Sequence, residues 1–144
     1  MAHFAFIDGV CTVNTVNLSA HCVSISAPVS IRSVEDGPCM GQLDEKHLPV
    51  MRVTGPVRLR FKKDYAASQV HATLFPLWTN KTIFAYDTKP ASGADSATNP
   101  RMHGTGFLTR YDDVVGGAFG DVAETEIEIT PAGATPGLTE DVTP

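Results

Sequence analysis

Polar and apolar positions alternate over residues 53–62. Val53, Val57, Leu59 and Phe61 fall on one parity and Thr54, Arg58, Arg60 and Lys62 on the other. This two-residue period predicts a strand with one core face and one wet face. A second such segment lies near the C-terminus, where Ala123, Thr125, Ile127 and Ile129 alternate with Glu124, Glu126 and Glu128. The basic row Arg58, Arg60 and Lys62 and the acidic row Glu124, Glu126 and Glu128 are therefore charged strand faces of opposite sign, suited to pairing across strands. Over residues 23–33, Val23, Ile25, Val29 and Ile31 alternate with Ser24, Ser26, Ser30 and Arg32, and Pro28 marks an edge or a bulge. Val23 and Ile25 are thus expected in one core with Val57, Leu59, Phe61, Ile127 and Ile129. Weaker strand signals cover residues 82–87, residues 101–111, where Gly104 and Gly106 imply a bend or close backbone approach, and residues 4–13, a hairpin turning at Asp8-Gly9.

One segment departs from this period. After Asp64, a good N-cap, residues 66–75 gather Ala66, Ala67, Val70, Leu74 and Phe75 on one helical face and leave Ser68, Gln69 and Thr73 on the other. Pro76 is expected to end this helix. The fold class predicted is mainly β: a β-sandwich or barrel-like domain of six to eight strands with one short flanking α-helix.

Residues 34–49 read as a long loop, because Gly37-Pro38, Gly41 and Pro49 break any regular element. Its charged and apolar side chains suit a partner surface, so Glu35, Asp36, Met40, Leu43, Asp44, Glu45, Lys46, His47 and Leu48 are the candidate subunit contacts. Residues 89–100 form a second connection rich in Ala, Ser, Gly and Asn. The stretch 131–144 holds three prolines and no basic residue. A β domain over 1–133 is therefore expected, followed by a flexible tail over 134–144.

With 144 residues the chain suits one domain, and no apolar run is long enough to span a membrane. Its net charge of -5 argues against affinity gained by neutralising nucleic-acid phosphates. The first eight residues lack the basic and apolar regions of a signal sequence, so a cytoplasmic setting is expected. Cys11, Cys22 and Cys39 form an odd set without C-x-x-C spacing, which fits reduced, inert thiols.

Candidate chemistry is sparse. His3, His21, His47, His71 and His103 are scattered, and the adjacent His21 and Cys22 would point to opposite faces of a strand, a poor chelate. Asp112 and Asp113, with Asp121 and Glu124, lack calcium-loop spacing and read as a polar hairpin loop. No serine lies in G-x-S-x-G. Trp78, Phe84 and Tyr86 would suit a sugar-binding platform, although core positions explain them more economically. The residues thus point to no catalytic, cofactor or metal site, and the chain is not expected to be an enzyme.

Several motifs follow one another in order. Val13, Val16, Leu18 and Ser19 give V-x-x-V-x-L-S; Phe61 opens F-x-x-D-Y-A-A; Val70 opens V-x-A-T-L-F-P-L; Ser96 opens S-A-T-N-P. Then come G-T-G-F-L-T-R-Y from Gly104 and G-G-x-x-G-D-V-A from Gly116. In this order, over residues 10–133, the chain resembles the tail tube (major tail) proteins of long-tailed bacteriophages. Cys39 and His47 in the 34–49 loop match no shared pattern. The resemblance implies homo-hexameric rings that stack into a tube in the virion tail, assembled in the host bacterial cytoplasm. DNA would pass through the lumen without specific binding, and the partners would be tape measure, tail terminator and distal tail proteins. The competing readings are a capsid decoration or other virion protein and a β-sandwich carbohydrate-binding module.

Overall fold

The computed structural model describes residues 8–36, 46–115 and 119–143. The strands are β1 (Val10–Val13), β2 (Val16–Asn17), β3 (Cys22–Ser26), β4 (Val29–Asp36), β5 (Lys46–Thr54), β6 (Val57–Lys62), β7 (Phe84–Lys89), β8 (Arg101–Val115), β9 (Glu124–Pro131) and β10 (Thr139–Asp141). One helix, α1 (Val70–Asn80), lies between β6 and β7. The domain is mainly β, as the alternation predicts. Eight strands form one antiparallel sheet in the order β2-β1-β7-β8-β9-β6-β3, with β10 added to β8, and β4 and β5 form a separate two-stranded sheet.

The apolar parity of β6 and β9 supplies the centre of the core. Val57, Leu59, Phe61, Ile127 and Ile129 are buried, joined by Cys11, Val13 and Leu18 from the first edge, Leu108, Phe84 and Tyr86 from the middle, and Val70, Leu74 and Leu77 from the helix. Ile25 packs at its margin. Val23 departs from expectation and is exposed. The β3–β6 register shifts between Cys22 and Ser24, so Val23 is the extra residue of a bulge and the parity changes there.

The first turn also differs. Residues 4–7 of the expected hairpin lie outside the described residues, and the two-residue turn is Asn14-Thr15, with φ of 48° and 68°, joining β1 to β2. Positive φ at both central positions matches the right-handed twist of the flanking strands.

The helix begins and ends later than its sequence implies. Asp64 Oδ1 accepts from Ala66 N at 2.8 Å, closing a local turn, and Ser68 at φ 61° breaks any helix beginning there. Gln69 therefore occupies the N-cap, and Pro76 lies inside α1 instead of ending it. Continuation past Pro76 buries Leu77 on the stripe of Val70 and Leu74, which offsets the lost backbone bond. This phase also buries Thr73 and exposes Phe75, the reverse of the expected facing.

Three expected loops are ordered in part. Within 34–49, residues 34–36 and 46–49 belong to the β4–β5 ladder, because Val34↔Leu48, Glu35↔His47 and Asp36↔Lys46 are register partners. Asp112 and Asp113 lie within β8 instead of a hairpin loop, since β8 continues along β9 to Val115↔Glu124. The tail contributes β10. Strand β9 leaves β8 at Gly106↔Pro131, and β10 pairs farther along with Arg101, Met102 and His103, filling the ladder that β9 vacates. Leu138 buries there and donates its N–H to Thr54 Oγ1 at 3.2 Å.

Candidate functional site

The β4–β5 hairpin is the most distinctive surface element. It arises because Pro28 and Gly55 pinch its base, with Gly55 N donating to Pro28 O at 2.8 Å, while β3 and β6 continue on the main sheet. Its register shifts between Arg32 and Ser33, a bulge on β5 that leaves Val50 without a register partner. Pro49, Val50, Met51 and Arg52 are exposed, Val50 at 56% and Met51 at 54%. Among the described residues β4 and β5 contact chiefly each other. Of the candidate contact residues, Glu35, Asp36, Lys46, His47 and Leu48 lie on this ladder, while Met40, Leu43, Asp44 and Glu45 lie outside the described residues.

The charged rows meet on the outer face of the main sheet. Arg58 stands opposite Glu128, Arg60 opposite Glu126 and Lys62 opposite Glu124. Arg58 Nε lies 3.1 Å from Glu128 Oε2, and Arg60 reaches Glu124 at 3.1 Å and Glu126 at 3.6 Å. On β8, Arg110 stands opposite Glu128 and Asp112 opposite Glu126. The hydrogen bond and charge of Asp112 hold the Arg110 guanidinium above its ordinary pKa. The basic row is therefore matched by carboxylates and does not form an open cationic track.

An aromatic stripe covers the wet side of α1. His71 stacks on Phe75 with centroids 5.2 Å apart and contacts Tyr65 at 4.9 Å. Tyr111 of β8 meets Phe75 at 6.2 Å and Trp78 at 6.4 Å. Beneath them the side chain of Lys63 is 4% exposed, donates to Asp113 O at 2.9 Å and pairs with the Asp113 carboxylate. Burial lowers its pKa. Tyr111 OH donates to Asp113 Oδ1 at 2.9 Å within β8, so the Lys63 contact with Asp113 ties β8 to the segment before the helix. A shallow groove of about 520 Å³ runs alongside, lined by Phe75, Trp78, Lys81 and Phe107. Sequence reading missed this stripe because Phe75 was assigned to the core; the signal was His71, Phe75 and Trp78 at i, i+4 and i+7, one position beyond the buried Val70, Leu74 and Leu77.

Other sequence candidates are dispersed. Phe84 and Tyr86 are buried on β7 while Trp78 lies on α1, so the three form no common sugar platform. His21 Nε2 is 2.9 Å from Gln69 Oε1 and 3.5 Å from Asp64 Oδ2, contacts that hold the short turn leading into β3 against the turn before the helix. Among the described residues, no group of three or more His, Cys, Asp or Glu side chains is placed to hold a metal ion, and no helix is long and apolar enough to cross a membrane.

The chain matches no protein-family model and no curated protein. Among solved structures it is similar to a chain in the cryo-electron-microscopy structure of the anti-feeding prophage baseplate, 6-fold symmetrised, with a TM-score of 0.60 at 9% identity. The match covers 97% of both chains. The two chains share a fold.

Proposed function

We propose that this chain is a tail-tube-type structural protein of a phage or phage-like particle. Its copies form six-fold rings that stack into a hollow tube, the conduit for genome DNA. The observation that carries this reading is the end-to-end fold match to a chain of a 6-fold symmetrised baseplate, and the ordered sequence motifs agree with it. The role is structural, without catalysis, and the chain resides in the virion tail after assembly in the host cytoplasm. Tape measure, tail terminator and distal tail proteins complete its partners.

The surfaces suit such an assembly. A lone two-stranded hairpin is at best marginally stable in water, and β4–β5 carries exposed Val50 and Met51 and pairs with no third strand among the described residues. Packing against neighbouring copies would bury that apolar surface, and repetition around a ring would multiply a weak contact. The matched charges of β6, β8 and β9 leave few free cations to hold phosphates, as a passage for DNA requires.

Electron microscopy of the purified full chain tests the reading. Rings with six-fold class averages, or tubes built from them, are expected. Deleting residues 39–46 should leave a folded domain that no longer polymerises. A chain that stays monomeric at high concentration would overturn the proposal.

A further inference from the structure

The main sheet rolls up until β1, beside its first edge, and β3, its last strand, face each other across a seam; among the described residues no strand pairing joins the two. Gly9, Val10 and Cys11 line one side and Cys22, Val23, Ser24 and Ile25 the other, around a cavity of about 370 Å³. Two hydrogen bonds fix this approach. Leu18 N donates to Cys11 O at 2.9 Å, and Cys11 N donates to Ser19 Oγ at 2.9 Å, so the chain leaving β2 is tied back onto β1 just before Cys22. Both thiols are free, Cys11 buried and Cys22 half-buried. Both line one solvent-connected groove, and each shifts the other's pKa.

We propose that Cys11 and Cys22 are a redox pair that closes the seam of the rolled sheet as an intramolecular disulfide. The neighbouring Cys11 side chain lowers the pKa of Cys22, while Cys22, together with burial, raises Cys11. Cys22 is therefore the attacking thiolate. It attacks one sulfur of a small-molecule disulfide such as oxidised glutathione, forming a mixed disulfide and releasing one small thiolate. Cys11 then loses its proton to solvent in the groove and attacks Cys22 Sγ, releasing the second small thiolate. The cysteine pair gives up two electrons and two protons, and the small disulfide becomes two thiols. In a reducing cytoplasm the seam stays open; in an oxidising medium it closes covalently. This goes beyond the assembly reading and stands whichever way that reading is decided.

The test uses the full chain carrying Cys39→Ser, so that only these two thiols remain. The reduced protein is incubated with oxidised glutathione at mildly alkaline pH, then examined by intact mass, denaturing thiol titration and peptide mapping. Both thiols should disappear with a mass decrease of about 2 Da, the two-hydrogen change of a dithiol oxidation. One peptide pair should link positions 11 and 22, and the chain should stay single on a non-reducing gel. Oxidation should raise the thermal midpoint, dithiothreitol should reverse the rise, and a further Cys11→Ser change should abolish it. Glutathione retained on Cys22 beside a free Cys11, linkage between chains, or no reaction would each overturn the proposal. Should the Cys39→Ser chain not fold, the same mapping on the wild-type chain decides the pairing.

Discussion

Arg58 of β6 and Glu128 of β9 are direct register partners, and the guanidinium Nε donates to the carboxylate Oε2 at 3.1 Å. The Arg58 side chain is 59% exposed and that of Glu128 21%, so solvent screens the pair. A double-mutant cycle of Arg58→Ala and Glu128→Ala in denaturant unfolding should give a coupling of about 0.2–1 kcal/mol. It should shrink in 1 M salt, where the screening length falls to about 3 Å. A coupling that persists in salt would mean that the pair is dry.

Phe61 is fully buried at the centre of the core, whereas Val23 stands out on its bulge at 46% exposure. Phe61→Ala should lower unfolding free energy by about 3–5 kcal/mol through lost transfer energy and a cavity. Val23→Ala should change it by less than about 0.5 kcal/mol. Equal effects in thermal or denaturant melts would contradict the bulge.

Gly106 lies where β8 presses against β9. A Cβ there would stand 2.4 Å from Thr130 O and 2.7 Å from Ile129 Cγ2. Backbone cannot yield as a flexible side chain does, so Gly106→Ala should cost about 1–3 kcal/mol by overpacking. A melting temperature equal to wild type would refute the close approach.

Asp141 anchors β10. Its carboxyl is held below the usual Asp range by the backbone N–H of Thr143, then by Arg101 Nη2 at 3.0 Å. A carboxylate with a lowered folded pKa stabilises above its unfolded value, about 3.9, and that contribution fades as pH falls through the folded value. Amide protection factors over β10 should therefore be constant near neutrality and drop below about pH 4. Asp141→Asn should reduce protection at neutral pH and remove this acid dependence. Unchanged protection in the variant would sever the link between the carboxylate and the strand.

The strand faces of β6 and β9 were legible because side-chain alternation follows from backbone geometry within each strand, without reference to what packs against it. The same holds for the opposite signs of their charged rows, which the register then joined residue by residue. The candidate contact surface was legible only in position. The breakers of residues 34–49 marked a special segment, but the cross-strand pairs Glu35↔His47 and Asp36↔Lys46 that make its flanks a ladder depend on partners about ten residues away.

The sequence by itself determined the mainly β class, one short helix, and the inward residues Val57, Leu59, Phe61, Ile127 and Ile129, since each depends on a local period. Tertiary structure decided what a local period cannot carry. The bulge at Val23 reversed a parity, the packing of Leu77 drew α1 past Pro76, and the span of β8 beyond β9 recruited β10 from an apparent tail. It also decided that Cys11 and Cys22, read as inert thiols, line one groove. The physical reason is common to all four: strand order, register and closure of a rolled sheet are set by contacts between residues distant along the chain, whose energies no single segment contains.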